Sequence, residues 1–554
     1  MFVRRSTMFV CPNCGANINF DPGKQLLHCD YCDTDISPDA VIQKDDAVES
    51  TYTETEADET SETGYREYST QIFTCKECGG EILTFDNTVA TFCSYCGAST
   101  VLASRVGKER APEYIIPFKI TKDQSEELYK KALSRSLYAP KYMKEDTVVE
   151  KFRGIYMPYW IYNFKENRPV TLRGQKDHRS GDYIIHEHFN VNLEVDAQYK
   201  GLSFDASSQF SDSLSEAIAP YDFNEAVPFN TSYMSGFYAD AADTDASLYE
   251  DQCKNIVIGD IYQKIASDSS VKKITLKAES KNNFSPETAD TELGYFPVWF
   301  LSSRHGDRVS YAVVNGQTGE VATDIPIDFK KYILGSLILA VPVFFLLFLI
   351  PVIRPIHLVF FALAFAIVSM IIVCTQENRI YTRENDLDDK GLMSKKTLQG
   401  EAAYAYQEAQ AKAAAKQKKQ KTAGQTIGSV VGIVFVIVAY FFLGSLGILA
   451  VALVGMPIVA LMEKSKNKKL VESGAKVNVK APGTRKFVLC LKPLIGALIA
   501  LGVLICAPSA DEYYYIASIV CIVAVLLSFF DIVKGHNELA TRKLPQFEKR
   551  GGDI

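Results

Sequence analysis

Residues 332–375 form a run of 44 positions in which Arg354 and His357 are the only acidic or basic side chains, bounded by Lys331 and Glu377. A helix rising about 1.5 Å per residue crosses a hydrocarbon core of about 30 Å in about 20 residues, so the run is too long for one span. It divides at Arg354-Pro355 into two helices, 332–353 and 356–375. The chain is therefore expected to enter a membrane and turn straight back. Everything before residue 330 becomes a head confined to one face of that membrane, and everything after Glu377 repeats or connects hairpins.

Two more hairpins are expected. Residues 422–462 carry no charge and divide at Gly444-Ser-Leu-Gly447, placing a second hairpin at 426–462. Segments 493–510 and 513–530 make the third, 493–530, joined by Asp511-Glu512 with Tyr513, Tyr514 and Tyr515 as an interfacial belt. The connectors 376–425 and 463–492 and the tail 531–554 hold ten, nine and five Lys and Arg, whereas the three tight turns together offer only Arg354. The positive-inside rule then gives six spans with both termini cytoplasmic, as in a bacterial inner membrane. An Ala-rich stretch, 401–421, reads as a surface helix in the first connector. No acidic or basic residue falls near mid-span, which favours anchoring over ion-coupled transport. Pro342 and Pro457 read as kink sites, and Gly428, Gly432 and Gly496 as helix-packing positions.

Charge separates the head from the membrane part. Residues 1–330 hold 33 Lys and Arg against 51 Asp and Glu, and residues 331–554 hold 26 against 15. An acidic head is not built to grip a phosphate backbone, which requires Lys and Arg to displace counterions. No apolar stretch of signal-peptide length precedes Cys11, so the head is expected to stay in a reducing compartment.

Eight of the 13 cysteines fall before residue 100 in two clusters. Cys11-Pro-Asn-Cys14 and Cys29-Asp-Tyr-Cys32 are separated by fourteen residues, as are Cys75-Lys-Glu-Cys78 and Cys93-Ser-Tyr-Cys96. The clusters align without a gap at an offset of 64, matching Gly15 with Gly79, Ile18 with Ile82 and Tyr31 with Tyr95, so the unit is duplicated. Two residues between cysteines let both thiolates of a pair reach one ion, and a following glycine supplies the backbone freedom such a knuckle needs. Short strands at 18–20 and 25–28, and at 82–85 and 89–92 in the copy, are expected to form a small hairpin between the pairs. Units this small bury too little to fold alone, so bound metal must supply the folding energy. Disulfides are disfavoured in a reducing compartment, and rubredoxin-like iron remains open because tetrahedral sulfur ligation suits it as well as zinc.

This pattern resembles the zinc ribbon family, of the kind first described in general transcription factor B and common in membrane-anchored bacterial proteins. The resemblance implies two structural zinc ions, one held by Cys11, Cys14, Cys29 and Cys32 in ribbon 8–38, the other by Cys75, Cys78, Cys93 and Cys96 in ribbon 71–104. A four-thiolate site is closed and favours structure over catalysis. His28 is surplus to a complete ligand set and reads as a strand residue. Family analogy implies nucleic-acid reading, yet neither ribbon shows a basic stripe with interleaved aromatics. Protein docking is the more economical use. Between the ribbons, residues 39–70 read as a flexible linker that lets the ribbons move relative to one another, since Asp45 to Ser69 is densely acidic and almost without aliphatic residues.

Residues 112–329 read as an α+β domain. A strand is expected at 115–120, a capping box at Thr121 and Gln124 opens a helix to about 136, and a second helix covers 245–266. Alternation of Phe189, Val191, Leu193, Val195 and Ala197 marks a half-buried strand. Segment 309–314, the turn Asn315-Gly316-Gln-Thr-Gly319 and 320–327 form a hairpin. Both tryptophans sit in one motif, Tyr156-Met-Pro158-Tyr-Trp160 and Tyr295-Phe-Pro297-Val-Trp299, each after a helix and before an alternating segment, which implies an internal duplication. His178, His186 and His188, with Asp177 or Glu187, are the nearest approach to a second metal or catalytic cluster, and they read as the polar face of a half-solvated strand. Cys253, alone on a helix, reads as a buried hydrophobe.

The expected chain is multidomain: two small β zinc ribbons, an α+β domain with an internal duplication, and an all-α six-helix transmembrane region. Its expected role is that of a non-enzymatic scaffold or adaptor held in the lipid bilayer and docking a cytoplasmic protein partner. A membrane-tethered nucleic-acid regulator and a transporter with a regulatory head are the alternatives.

Overall fold

The computed structural model of the chain describes residues 9–40, 66–84, 93–98, 103–268, 271, 274–348, 354–395 and 483–547. The first ribbon is a three-stranded sheet of β1 (Asn19–Asp21), β2 (Leu26–His28) and β3 (Asp35–Ile36), joined antiparallel in sequence order. Beyond it lies one sheet of thirteen strands. It takes in β4 (Glu67–Thr74), β5 (Glu81–Thr84), β6 (Ala103–Arg110), β7 (Tyr114–Ile115), β8 (Arg153–Ser180), β9 (Tyr183–Asp205), β10 (Val227–Pro228), β11 (Tyr238–Ala239), β12 (Thr275–Leu276), β13 (Glu287–His305), β14 (Arg308–Asn315), β15 (Val321–Thr323) and β16 (Arg542–Lys543). The soluble helices are α1 (Lys122–Arg135), α2 (Asp212–Ile218) and α3 (Glu250–Ser267).

The repeated aromatic motif lies at the middle of this sheet. Antiparallel β8 and β13 set Tyr156 opposite Pro297, Met157 opposite Phe296 and Pro158 opposite Tyr295, so the two copies face each other across a local two-fold. Each tryptophan then reaches across to the other half. Trp160 Nε1 donates to the Thr244 carbonyl at 3.1 Å, just ahead of α3, and Trp299 Nε1 donates to the Ile120 carbonyl at 2.8 Å, just ahead of α1. Both rings are buried, and buried indoles need such an acceptor. At Thr121 the capping box forms with both reciprocal bonds present. Cys253 lies fully buried on α3.

Several expectations are corrected. The strand expected at 115–120 shortens to Tyr114–Ile115: the Ile116 amide makes the last bond of the pairing with β13, to the Tyr295 carbonyl, and the amides of Lys119 and Ile120 turn instead to the Gly316 carbonyl. The ribbons do not move freely of one another, since both are fastened to the α+β domain. In the first, Phe20 donates its amide to the Ser235 carbonyl at 3.1 Å, Gln25 reaches the Phe118 carbonyl at 2.7 Å, and Phe9, Ile18, Phe20 and Leu27 share a core with Tyr156, Phe237 and Trp299. The second is part of the large sheet itself: β4 pairs with β5 and β6, β5 pairs with β11, and β11 pairs with β8. The linker assigned to 39–70 ends in ordered β4, whose Tyr68 hydroxyl meets that of Tyr295 at 2.7 Å. A ribbon of about 25 residues buries little area by itself, and docking gives both units a core they lack alone.

Four helices are long and apolar enough to cross a membrane: α4 (Phe329–Phe348), α5 (Pro355–Glu384), α7 (Gly483–Cys506) and α8 (Glu512–Leu539). The six expected spans are thus four among the described residues; the hairpin placed at 426–462 and the helix at 401–421 lie outside them. Between α5 and α7 the described chain adds a short α6 (Lys390–Lys395). Val359, Ala362 and Ala366 of α5, Ala500 of α7, and Ala517 and Cys521 of α8 form a small-residue core. At Gly496 an added Cβ would lie 3.1 Å from the Cys521 Cα, the close backbone approach that small residues permit between membrane helices. Pro493 does not open α7 but lies inside it, because the apolar run continues back to Phe487 while Lys492 reaches Asp531 at 2.7 Å.

Helices α5 and α8 outrun their apolar stretches and enter the head. Past α5, Asp389 is buried beside Asp205, Asp212, Asp388 and Arg542, and the Lys390 amide donates to Asp212 at 2.8 Å. Burial, then the Asp212 charge, pushes the Asp389 carboxyl well above the usual range. A carboxyl whose pKa rises on docking holds best below its free value of about 4 and loses that hold as pH climbs through the raised value. Protease access to residues 385–395 is therefore expected to increase with pH, and Asp389→Asn to flatten the increase when the two proteins are digested side by side at each pH.

Candidate metal centres

Each cysteine pair closes the same backbone turn. The amide of the first cysteine donates to the carbonyl five residues on, and the residue four on donates its amide to the first cysteine's carbonyl: Cys11 with Ala16 and Gly15, Cys29 with Thr34 and Asp33, Cys75 with Gly80 and Gly79, Cys93 with Ala98 and Gly97. The residue that closes the turn is left-handed in all four, with φ of 75° at Gly15, 57° at Asp33, 75° at Gly79 and 70° at Gly97. Glycine adopts this region without strain, and aspartate is among the few other residues that tolerate it.

The turns aim four thiols at one point in each ribbon. Within each of the sets Cys11, Cys14, Cys29, Cys32 and Cys75, Cys78, Cys93, Cys96, the sulfurs all lie within 4.8 Å of one another. Across each set, Cys11 and Cys32 lie 3.4 Å apart, Cys14 and Cys29 3.5 Å, Cys75 and Cys96 3.7 Å, and Cys78 and Cys93 3.6 Å. Four sulfurs at about 2.3 Å from a central zinc sit about 3.8 Å apart, whereas a disulfide needs about 2.05 Å, so the donor sets fit a tetrahedral ion. Both four-cysteine clusters fit zinc ribbons. Thiolate donors suit zinc or iron, and a bound dication would offset half of the negative charge of four thiolates crowded together.

The two sites differ sharply in surroundings. In the first, Cys14 and Cys32 are exposed. In the second all four cysteines are buried within a core that includes Tyr95, Phe300, Tyr311, Leu544 and Phe547. The last two residues come from the C-terminal tail, which reads from sequence as a cytoplasmic appendage and in the structure returns to the head. After α8, β16 pairs with β14, setting Arg542 opposite Val309 and Lys543 opposite Arg308. The Phe547 amide then donates to the Cys78 carbonyl at 2.7 Å, Gln546 reaches the Glu77 carbonyl at 3.4 Å, and the Phe547 ring stands edge-on to Tyr95 with centroids 5.7 Å apart. A Cβ at Gly79 would fall 2.3 Å from the Phe547 carbonyl oxygen, so close approach of the tail also demands glycine there. From the other side Arg304 pairs with Glu77 at 2.7 Å, and the Tyr311 hydroxyl donates to the Tyr95 carbonyl at 2.8 Å. Sequence reasoning missed this seal. Its one local sign is Leu544-Pro-Gln-Phe547, an apolar island in a charged tail.

His28 stands outside the first ligand set, with Nδ1 2.6 Å from Asp35. The histidines of the β8–β9 hairpin do not converge with ligand spacing. His186 bonds Asp177 at 2.7 Å across the ladder, while His188 lies opposite Gln175 and His178 opposite Ile185.

No known family profile matches the chain, and no solved structure matches it. It is similar to a Bacillus subtilis (strain 168) protein described as the uncharacterized protein YdjG, with 27% identity over 331 residues, which is 58% of this chain and 91% of that one.

The burial contrast sets an expected order of metal loss. Challenged with a chromophoric chelator, the purified chain should release metal in two phases of equal amplitude, the fast one from the exposed first site. Cys14→Ser should remove the fast phase, and Phe547→Ala should accelerate the slow one up to about tenfold by unsealing the second knuckle, since an aromatic pair such as Phe547 on Tyr95 contributes about 0.5–1.5 kcal/mol.

Proposed function

We propose that this chain is a non-enzymatic adaptor, anchored in the bilayer by its apolar helices and presenting a zinc-ribbon head to a cytoplasmic protein partner. The observation that carries this reading is the joint between head and membrane. Arg308, at the β13–β14 turn, bonds Glu384 of α5 at 2.8 Å and the carbonyls of Glu538 and Thr541 at 2.8 and 2.9 Å. Arg383 of α5 binds the Leu539 carbonyl and pairs with Asp324 at 2.8 Å, and Asn537 exchanges two hydrogen bonds with the Ile327 backbone at 2.7 and 2.9 Å. A head locked to its anchor this firmly suits a fixed platform better than a tethered domain that samples distant targets.

Further features support it. The N-terminal head and the C-terminal tail touch at Cys78 and Phe547, which is consistent with both ends on one face of the membrane, and thiolate metal sites suit the reducing cytoplasmic face. Four thiolates fill a tetrahedral ion's coordination sphere, leaving no position for substrate. The head's excess of acid over base favours proteins over nucleic acids as its partners.

The test is gentle detergent purification of the full chain from native membranes, with and without nuclease. The expected result is about two zinc ions per chain, counting one for each four-cysteine set, with a stoichiometric protein that survives nuclease and is lost with Cys75→Ser and Cys78→Ser. Nucleic acid released by moderate salt would instead support the tethered regulator.

A further inference from the structure

The duplicated ribbons carry two copies of one surface, and only one copy is covered among the described residues. On the second ribbon the cover is the extended segment Leu544-Pro-Gln-Phe547, held by the Cys78 carbonyl, the space over Gly79 and the face of Tyr95. An offset of 64 carries these to Cys14, Gly15 and Tyr31 on the first ribbon. There Pro12, Asn13, Cys14 and Gly15 are exposed, a Cβ added at Gly15 would meet nothing within 4 Å, and Tyr31 is 84% exposed, against 1% for Tyr95. The backbone that would receive a ligand is already shaped, since Gly15 and Gly79 share a φ of 75°. No described group donates to the Cys14 carbonyl.

We infer that the first ribbon is a docking site for an extended peptide with an aromatic side chain, bound as the C-terminal tail is bound on the second. The peptide amide would meet the Cys14 carbonyl, its backbone would cross Gly15, and its ring would lie on Tyr31. Charge refines the partner. Where the second ribbon has Ser94 and Gly97, the first has Asp30 and Asp33, with side chains 77% and 91% exposed beside Tyr31. The peptide therefore carries Lys or Arg next to its aromatic residue, which steers the encounter and sets specificity. An exposed tyrosine flanked by acid also repels nucleic-acid phosphates. This inference rests on the adaptor reading and names the surface by which the head takes its partner.

The probe is a fluorescent peptide with the sequence of residues 542–550, which joins the sealing segment to flanking basic residues. It is added to the full-length, metal-loaded chain in detergent, whose own tail already covers the second ribbon. Saturable binding by anisotropy is expected, weakened about tenfold or more by Tyr31→Ala, or by alanine in place of the peptide's phenylalanine, as for a buried aromatic anchor. Asp30→Asn with Asp33→Asn should weaken it less and flatten its salt dependence. A photoreactive residue in place of the peptide's phenylalanine should cross-link at Tyr31. Metal content equal to that of the unaltered chain establishes that each variant is folded. Absence of binding to the loaded chain, binding indifferent to Tyr31→Ala, cross-linking to the second ribbon, or displacement by a single-stranded oligonucleotide would overturn the inference. If the stoichiometric partner co-purifies equally with Tyr31→Ala, the adaptor reading stands and this surface is not its contact.

Discussion

The architecture depends on how the last membrane helix ends. A helix leaves its final carbonyls without partners inside the helix and carries a partial negative charge there. At the end of α8 these carbonyls are taken by Arg308 from the head and Arg383 from α5, so two guanidinium groups on different elements close the terminus. Hydrogen bonds to charged groups contribute about 1.5–3 kcal/mol each, more than neutral ones, and these are partly shielded from water. Glu384 lies between Arg308 and Lys543, both at 2.8 Å, and completes the junction. The chain is thereby aimed into β16 and onto the second ribbon.

That path makes the second metal site part of the junction. Its knuckle touches the tail at Phe547, β13 through Arg304 and β14 through Tyr311. Metal that orders four cysteines there would order the surface against which the membrane helix anchors, coupling folding of the ribbon to assembly of the whole. The first ribbon shares the chemistry and not the constraint: Cys11 and Cys29 are buried, but the second cysteine of each knuckle, Cys14 and Cys32, is exposed. After duplication, identical ligand sets came to occupy two environments, one internal and one at the surface.

Local chemistry was readable where it requires particular residues at fixed spacing. The glycines that close three of the four knuckles, the capping box at Thr121, the glycine at φ 79° in the turn after Asn315 and the apolar runs of the helices all follow from rules that act within a few residues, whereas the left-handed Asp33 in the fourth knuckle was not read from the sequence. The paired Tyr-x-Pro-x-Trp motifs were visible as a repeat, but not as partners in one ladder: register between strands more than a hundred residues apart depends on the fold that brings them together.

The sequence by itself determined which atoms can bind metal and which segments prefer hydrocarbon, because thiol spacing and apolar length are properties of short stretches of chain. Only the tertiary structure decided that the ribbons are fixed to the head, that α5 and α8 run on beyond their apolar lengths, and that Phe547 closes one metal site while no described residue covers Gly15 and Tyr31 at the other. Those outcomes come from contacts spanning hundreds of residues, from Cys78 to Phe547 and from Arg308 to Glu538, and no local periodicity encodes such a distance.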